Sequence, residues 1–222
     1  TVSDGWAITG DYHEYAFGSQ FDKEGNMWVV LCLTGSFNSN TPYRGWCVRV
    51  TKDGELIPTA SGIRSPGGIG FDPFGNVFYA DNQGPWNGSS SLKPLMHGSF
   101  QGHPGGFRWY DLMAAKTSMG KRPKQPKTNS RWVAERPKIA ALVPPAIVFP
   151  HSVLGNSTAG FTYDSNGKFG PTRLITAGSG YWSQDSAVQQ AGRLKVCPIQ
   201  GPAGYLVRTV VADRTGADDI VI

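Results

Sequence analysis

The chain has 222 residues with 29 glycines, 16 prolines and 12% aromatic residues, and only 17% of its residues are charged. This composition, rich in turn formers and aromatics, is typical of an all-β fold and argues against a helical or disordered chain. The formal net charge of +5 is concentrated in residues 116–138, which contain eight basic residues and one acidic residue. Because no basic and aromatic pattern recurs elsewhere, we expect a solvated basic loop and no nucleic-acid partner.

The first predicted element is a tight turn that leads into a strand, FDKEGNMWVV at 21–30. The same signature returns as FDPFGNVFYA at 71–80, and a weaker copy lies at 162–176. In each copy an Asp caps the turn with its side chain, a Gly supplies the positive φ, and alternating bulky residues form the strand. The capping residues are Asp22, Asp72 and Asp164. A further Asp-Gly turn, KDGEL at 52–56, follows a strand predicted at 45–50.

The repeat spacing indicates the architecture. Asp22 and Asp72 are 50 residues apart, which matches one four-stranded blade of a β-propeller. A two-sheet sandwich is the structural alternative, but sandwiches do not normally repeat one turn signature at this spacing. We therefore predict an all-β propeller, a single domain or fragment over residues 1–222. The chain has room for about four blades, so a partial ring of a larger propeller is expected.

Residues 113–138 interrupt the strand pattern. They are rich in Lys and Pro and have no strand periodicity. We expect an exposed, weakly ordered basic insertion loop, with a short helix around residues 112–118.

The cysteines and the apolar runs say little about the compartment. Cys32, Cys47 and Cys197 have neither metal-ligand nor redox spacing. Cys32 and Cys47 fall in consecutive predicted strands, where they either pair or remain buried thiols. No apolar run reaches the ~20 residues of a membrane span. Thr1 is not preceded by a Met and begins no signal-peptide pattern, as expected of a mature form or an excised piece.

Two segments carry a resemblance to a known family. YHEYAFGSQFDKEGNMWVV at 12–30 resembles the His-x-x-x-x-Gly and Asp-x-x-Gly pattern of the soluble quinoprotein sugar dehydrogenases. GIRSPGGIGFDPFGNVFYADNQGP at 62–85 is similar to their Arg-(Asn/Ser)-Pro segment, which ends in a Gln-Gly-Pro loop. Residues 144–171 also resemble the family's Pro-rich approach to a later blade. The family comprises the glucose/sorbosone dehydrogenases and their membrane-bound relatives, all six-bladed propellers.

The resemblance implies a site for pyrroloquinoline quinone over Ca²⁺ at the propeller mouth. Gly84 and Pro85 match the main-chain ligands of the ion, a hard cation that takes six to eight oxygens. Arg64 and Gln83 would complete the cofactor site, with Arg64 stabilising charge on the reduced quinone. His13 matches the family's general base, which takes a hydroxyl proton from the substrate.

The positions of these residues in the repeat predict that they meet. His13 and Arg64 each come just before the Asp-Gly hairpin of consecutive predicted blades. Equivalent positions on neighbouring blades lie on the same face of a propeller, and residues 81–86 follow a strand back to that face. We expect His13, Arg64 and the 81–86 loop to converge at one mouth.

Three functions are compatible with the sequence. The resemblance implies a periplasmic or secreted dehydrogenase that oxidises a small sugar or alcohol and passes electrons to a cytochrome c-type acceptor. The second is a non-catalytic propeller that binds carbohydrate or a protein partner. It is favoured by the seven Trp, and by the single Arg173 where the family has several basic residues for the quinone carboxylates. The third is a calcium-dependent lactonase-type hydrolase, whose carboxylate-rich metal site has no counterpart in the sequence.

Without the family context, the same residues have simpler interpretations. His13 is then a loop or packing residue, and Arg64 ties two blades together through backbone carbonyls. Residues 81–83 are then ordinary turn formers. His97 and His103 are six residues apart and cannot share a helix face, so loop structure is favoured over metal chelation.

Overall fold

The computed structural model of the chain describes most of its first two thirds and several later strands. The described residues are 2–8, 10–11, 14, 16–33, 40–72, 74–149, 158–162, 174–178, 191–198 and 205–213. Among them, no helix is long and apolar enough to cross a bilayer. His13, His151, Asp164 and Arg173 lie outside the described residues.

The described elements are mostly short strands. In chain order the strands are β1 (Ala16–Phe21), β2 (Met27–Leu31), β3 (Trp46–Val50), β4 (Leu56–Ser61), β5 (Pro66–Phe71), β6 (Val77–Asp81), β7 (Ser91–Leu95), β8 (Ser99–Phe100), β9 (Ile147–Val148), β10 (Thr158–Thr162), β11 (Leu174–Gly178), β12 (Ala191–Pro198) and β13 (Tyr205–Asp213). The helices are a 3-10 helix (Pro104–Asp111), α1 (Met113–Met119), α2 (Trp132–Glu135) and a 3-10 turn (Arg136–Lys138).

The strands build three sheets, and each contains four strands that pair in antiparallel fashion. Their orders are β1-β2-β3-β4, β5-β6-β7-β9 and β10-β11-β12-β13, and β8 adds to β4 in parallel. β5 contacts β1 on one side and β10 on the other. The first strands of successive sheets are thus neighbours, as around the axis of a propeller.

The predicted partial propeller is therefore confirmed. The described residues form three sheets, whereas the repeat spacing suggested about four blades. The difference arises because residues 96–148, which we call the rim segment, do not form a blade. Instead β8 joins the first sheet and β9 joins the second.

Side-chain alternation in the strands makes two cores. One face of the first sheet packs against the second sheet. The fully buried residues of this shared core include Val30, Cys47 and Ala60 of the first sheet and Tyr79 of the second. The opposite face packs against the 3-10 helix and α1. The residues of that second core include Val29, Leu31, Trp46, Val48, Trp109 and Ala115. Because the rim segment covers this face, β2 is buried on both sides and carries the continuous apolar sequence MWVVL.

The Asp-Gly turns lie at equivalent places in the first two sheets. In the β1–β2 connection Asp22 Oδ1 accepts a hydrogen bond from Asn26 N at 2.8 Å. In the β5–β6 connection Asp72 Oδ1 accepts one from Asn76 N, also at 2.8 Å. Gly25 and Gly75 have φ of +84° and +88°, as the signature requires. The prediction that Asp22 and Asp72 occupy matching turns is confirmed.

Cys32 and Cys47 are free, buried thiols. The Cys32 Sγ donates to the carbonyl of Leu33 at 3.2 Å. Burial raises the pKa of Cys32 to about 11 and raises that of Cys47 further. Both groups are therefore neutral at physiological pH and act as small apolar side chains. The sequence allowed either a disulfide or two buried thiols, and the structure has two buried thiols.

The rim segment closes the outer edges of two sheets. Phe100 N donates to Ala141 O at 2.7 Å, and Val143 N donates to Phe100 O at 3.1 Å, which joins the two ends of the segment. Its middle contains α1, at the place where a short helix was predicted, and α2. Most of its charged side chains are exposed, but Ala115 is buried against the first sheet and Glu135 is buried within the segment. Covered edges cannot pair with other chains.

We predict that Asp22→Ala costs more stability than Asp72→Ala. Asp22 also accepts a hydrogen bond from Trp28 Nε1 at 2.8 Å, so its removal leaves a partly buried donor unpaired. We expect the free energy of unfolding to fall by about 2 kcal/mol for Asp22→Ala and by about 1 kcal/mol for Asp72→Ala. Urea denaturation at neutral pH measures both, and equal losses would contradict the prediction.

Candidate functional site

Arg64 lies against the loop that the sequence predicted as a cofactor site. Its Nη1 donates to the carbonyl of Gln83 at 2.6 Å. A Cβ added to Gly84 would collide with Arg64 Cζ, so the guanidinium packs directly on the glycine backbone. The structure thus brings Arg64 and the 81–86 loop together, as predicted. The catalytic and binding roles of these residues stay predictions, as does the position of His13.

Arg64 has hydrogen-bonding capacity left over. Its Nε is buried and has no hydrogen-bond partner within the part of the chain that the structure describes. Buried donors are rarely left unsatisfied in folded proteins, and such an atom calls for a ligand or an ordered water. A guanidinium is charged at all physiological pH values and suits a planar, electron-rich group. The chemistry of Arg64 is therefore compatible with a planar, electron-rich ligand.

The loop itself is a tight turn stabilised by its own backbone. Gly84 N donates to Asn87 O at 2.7 Å, and Asn87 N donates to Gly84 O at 2.9 Å. Asn87 Nδ2 also donates to Asn82 O at 2.7 Å. Pro85 is exposed at the tip. The Gly84 carbonyl keeps one lone pair for another partner, since a carbonyl oxygen has two.

The chemistry of the loop is compatible with a hard cation held by main-chain oxygens. No cluster of three or more His, Cys, Asp or Glu side chains able to hold a metal exists among the described residues. An ion at Gly84 and Pro85 would therefore be bound through carbonyl oxygens, which Ca²⁺ accepts readily.

A buried carboxylate beneath the loop fixes its base. Asp81 Oδ1 accepts from Ser65 N at 2.9 Å, which holds the residue after Arg64 beside the end of β6. Asp81 Oδ2 accepts from Tyr79 Oη at 2.9 Å and from Lys93 Nζ at 3.0 Å. Asp81 and Lys93 are fully buried. The sequence interpretation of Asp81 as a turn former missed this ion pair, although a Lys inside the apolar strand SLKPL was a signal for it.

The two described histidines serve local structure. His103 Nδ1 accepts from Gly105 N at 3.0 Å and begins the 3-10 helix Pro104–Asp111. Burial lowers the pKa of His103 to about 4, so this ring is neutral at physiological pH. His97 Nε2 lies 2.8 Å from the carbonyl of Ser118. The loop interpretation of both residues agrees with these contacts.

Glu14, the residue after His13, is buried in a polar cluster. Its Oε2 accepts from Thr41 Oγ1 at 3.2 Å and lies 3.9 Å from Arg44 Nε. Arg44 Nη2 donates in turn to Ala7 O at 2.8 Å. Cys32 lies within electrostatic range of both Arg44 and Arg64. Glu14 is therefore held by Thr41 and Arg44, which precede β3.

A cavity of about 540 Å³ lies between the loop and the rim segment. Residues 84–86 and Gly88 of the loop line it, as do residues 126–132, Glu135, Gly102 and Leu142 of the rim segment. This volume is within the usual range for small-molecule sites. The sequence did not predict the cavity, because residues 113–138 were interpreted as a loop that stands away from the core. Trp132, an aromatic residue within that basic stretch, was the available signal.

We predict that Gly84→Ala destabilises the protein and Gly88→Ala does not. At Gly84 the new methyl group would displace the Arg64 guanidinium, and the φ of +150° is unfavourable for alanine. At Gly88 an added Cβ meets nothing within 4 Å. We expect a loss of about 2 kcal/mol for Gly84→Ala and less than about 0.5 kcal/mol for Gly88→Ala. Equal midpoints in urea denaturation would contradict this packing.

We predict that acid loosens the rim-segment wall of the cavity. Glu135 accepts from Ser130 Oγ at 2.6 Å, Lys138 Nζ at 3.0 Å and Lys127 N at 3.2 Å, and these bonds lower its pKa from 4.5 to about 2. The folded-state pKa is depressed, so the stabilisation is present above about pH 4.5 and is lost as the pH falls toward 2. Hydrogen exchange of amides 127–135, corrected for its intrinsic pH dependence, should accelerate over this range. In the Glu135→Gln variant these amides should exchange fast at every pH. If their exchange in the wild type does not change with pH, the prediction is refuted.

Comparison with known proteins identifies the fold. No family model matches the chain, and no curated protein matches it in sequence. A solved structure described as a putative oxidoreductase (glucose dehydrogenase) from Thermus thermophilus matches 96% of the chain with a TM-score of 0.59 and 14% identity. The PQQ domain of pyranose dehydrogenase from Coprinopsis cinerea, in its holo form, matches 96% of the chain with a TM-score of 0.56 and 15% identity. The PQQ-bound aldose sugar dehydrogenase of Streptomyces coelicolor matches 92% with a TM-score of 0.55 and 11% identity.

The chain covers 57%, 59% and 52% of the lengths of these three structures, respectively. It therefore spans little more than half of the proteins that it resembles. Two of the three are described as PQQ-containing forms of sugar dehydrogenases, and the chain shares with these structures the β-propeller fold.

Proposed function

We propose that the chain forms part of a quinoprotein dehydrogenase that oxidises a sugar or a related alcohol. The observation that carries the proposal is the contact of Arg64 with Gln83 and Gly84. A guanidinium with an unsatisfied buried donor packs there on a glycine turn, beside a cavity of about 540 Å³. The fold shared with PQQ-dependent sugar dehydrogenases supports it. Because the chain spans little more than half the length of those proteins, the activity is proposed for the whole protein.

The residues that would hold the cofactor are Arg64 and the Gln83–Pro85 loop. Bound pyrroloquinoline quinone supplies an acceptor for two electrons from the substrate. Arg64 would donate hydrogen bonds to it and offset negative charge, since its own charge does not depend on pH. The carbonyl oxygens of Gly84 and Pro85 would bind Ca²⁺. The rigid base formed by Asp81 keeps these groups in place.

His13 would act as the general base on the substrate hydroxyl. An imidazole titrates near neutral pH, so it can take a proton from the alcohol and release it to water. The buried Glu14, held by Thr41 and Arg44, would position the main chain next to it. We further propose a separate cytochrome-type protein as the electron acceptor, and a periplasmic or secreted location, both as implied by the family resemblance.

A second candidate, a propeller that binds carbohydrate without oxidising it, is favoured by one observation. Trp86 and Trp132 both line the cavity, and aromatic side chains are common in sugar-binding and other small-molecule sites. This candidate needs the cavity but neither His13 nor the quinone.

Reconstitution separates the candidates. The purified protein is incubated with pyrroloquinoline quinone and Ca²⁺, and dye reduction is followed over a panel of sugars. Turnover that depends on both additions supports the dehydrogenase. Sugar binding without turnover supports the second candidate, and lactone hydrolysis with Ca²⁺ alone supports the third function considered from the sequence, a lactonase-type hydrolase.

We predict different defects for two substitutions in this site. His13→Ala should lower kcat by about 10²- to 10⁴-fold, the usual contribution of a general base, and leave quinone binding nearly unchanged. Arg64→Ala should raise the Kd for the quinone by roughly tenfold or more, because it removes charge-assisted hydrogen bonds. Arg64→Lys should give an intermediate Kd, since it keeps the charge but not the planar donors.

His97→Ala serves as the matched control for His13→Ala, because His97 is exposed and contacts the carbonyl of Ser118, away from the Gln83–Pro85 loop. Quinone binding is measured by titration of its absorbance, and turnover is measured by dye reduction. A fully active His13→Ala variant would remove His13 from the mechanism, and unchanged quinone affinity in Arg64→Ala would remove Arg64 from the cofactor site.

A further inference from the structure

Two tryptophans line the cavity beside the Gln83–Pro85 loop. Trp86 belongs to the loop, and Trp132 begins α2 in the rim segment. Both indoles are partly exposed, so each has surface available to a ligand. Flat apolar rings of this kind pack against the C–H faces of sugar rings, with little loss of side-chain entropy.

The backbone of Trp86 is in a conformation that a bulky residue rarely adopts. Its φ is +62°, in the left-handed region that favours glycine. The turn bonds between Gly84 and Asn87 and the bond from Asn87 Nδ2 to Asn82 O maintain this conformation. Strained residues that are fixed by their surroundings are concentrated at binding and active sites. A glycine would build this turn more easily, so the presence of Trp86 points to a use for its side chain.

The indole of Trp132 is fixed by its neighbours. A Cβ added to Gly102 would lie 3.0 Å from the Trp132 ring, so the ring packs closely on that glycine. Lys93 Nζ lies 5.7 Å from the ring centroid, which is within the range of a cation–π contact. Trp132 is therefore preorganised at the cavity wall.

The lining has a basic character. Lys127 and Arg131 line the cavity and are exposed. Neither side chain forms an ion pair with any residue that the structure describes. Glu135 also lines the cavity, but its carboxylate already accepts from Ser130, Lys138 and a backbone amide. The Lys127 and Arg131 side chains are therefore available to bind a negatively charged group of a ligand.

The geometry points to a subsite for a sugar that bears an acid group, such as a uronic acid, with Trp86 and Trp132 against the ring and Lys127 and Arg131 at the carboxylate. This inference deepens the proposed function and rests on it, because it names the substrate class of the same site. It concerns residues 126–132, which lie outside the segments that resemble the quinoprotein dehydrogenases.

The test compares two sugars that differ only at C6, glucuronate and glucose. Their affinities are measured by NMR titration of the purified protein without quinone or Ca²⁺. We expect glucuronate to bind more tightly than glucose, with a preference that shrinks as salt is added, since the cations are exposed. The double variant Lys127→Gln/Arg131→Gln should weaken glucuronate binding by about tenfold and leave glucose binding unchanged.

Two controls separate a specific subsite from general charge and from misfolding. Lys121→Gln/Lys124→Gln removes the same charge from exposed positions of the same segment that do not line the cavity, and it should leave both affinities unchanged. Trp86→Gly keeps the turn, because glycine accepts its positive φ. It should weaken the binding of both sugars, while the melting temperature stays within a few degrees of the wild type.

The inference would be overturned by equal affinity for the two sugars. It would also be overturned if the Lys121/Lys124 control lost as much glucuronate affinity as the Lys127/Arg131 variant. The outcome is independent of the dehydrogenase assay. Glucuronate binding that depends on Lys127 and Arg131 without any turnover supports the subsite and rejects the enzyme. Turnover of neutral sugars that is indifferent to both residues supports the enzyme and rejects the subsite.

Discussion

The buried ion pair between Asp81 and Lys93 is the interaction on which the candidate site depends. Asp81 holds Ser65, and with it the preceding Arg64, beside the start of the loop. Lys93 also donates to the carbonyl of Gln101 at 3.2 Å, and so ties the pair to the rim segment. Two charges removed from water are tolerable only when each is fully partnered. One pair of residues therefore sets the positions of the guanidinium, the loop and the added segment together.

The two walls of the cavity have different origins in the fold. The loop wall continues a strand of a propeller blade, and it carries the residues proposed to bind the cofactor. The other wall belongs to the rim segment, whose own fold is held by the hydrogen bonds of Glu135 and by the packing of Trp132 on Gly102. Functional sites are commonly assembled in this way, with a rigid scaffold supporting variable connections. In the proposed enzyme the scaffold side would carry the chemistry and the rim side would select the ligand.

The sequence predicted the parts of the fold that are encoded locally. The turns at Asp22 and Asp72 were recognisable because the cap, the glycine and the strand lie within ten residues. The number of sheets was harder, because residues 96–148 pair with β4 and β7, and a composition pattern does not contain such long-range pairing. Without the family context Asp81 was interpreted as a turn former, because its partners Ser65 and Lys93 are 16 and 12 residues away. The contact of Arg64 with the loop followed from a motif position, whereas the cavity required the fold of the rim segment.

The pairing of the rim segment with two different sheets also bears on the order in which the protein folds. Apart from β9, the strands of each blade pair with strands that are adjacent in the sequence. Such pairing closes short loops at a small entropic cost. β9 instead returns to β7 across some 50 residues, and β8 adds to a sheet that is already complete. We expect the blades to form first and the rim segment to dock afterwards. The cavity would then be the last part of the molecule to assemble and, by the same reasoning, the first to open under native conditions.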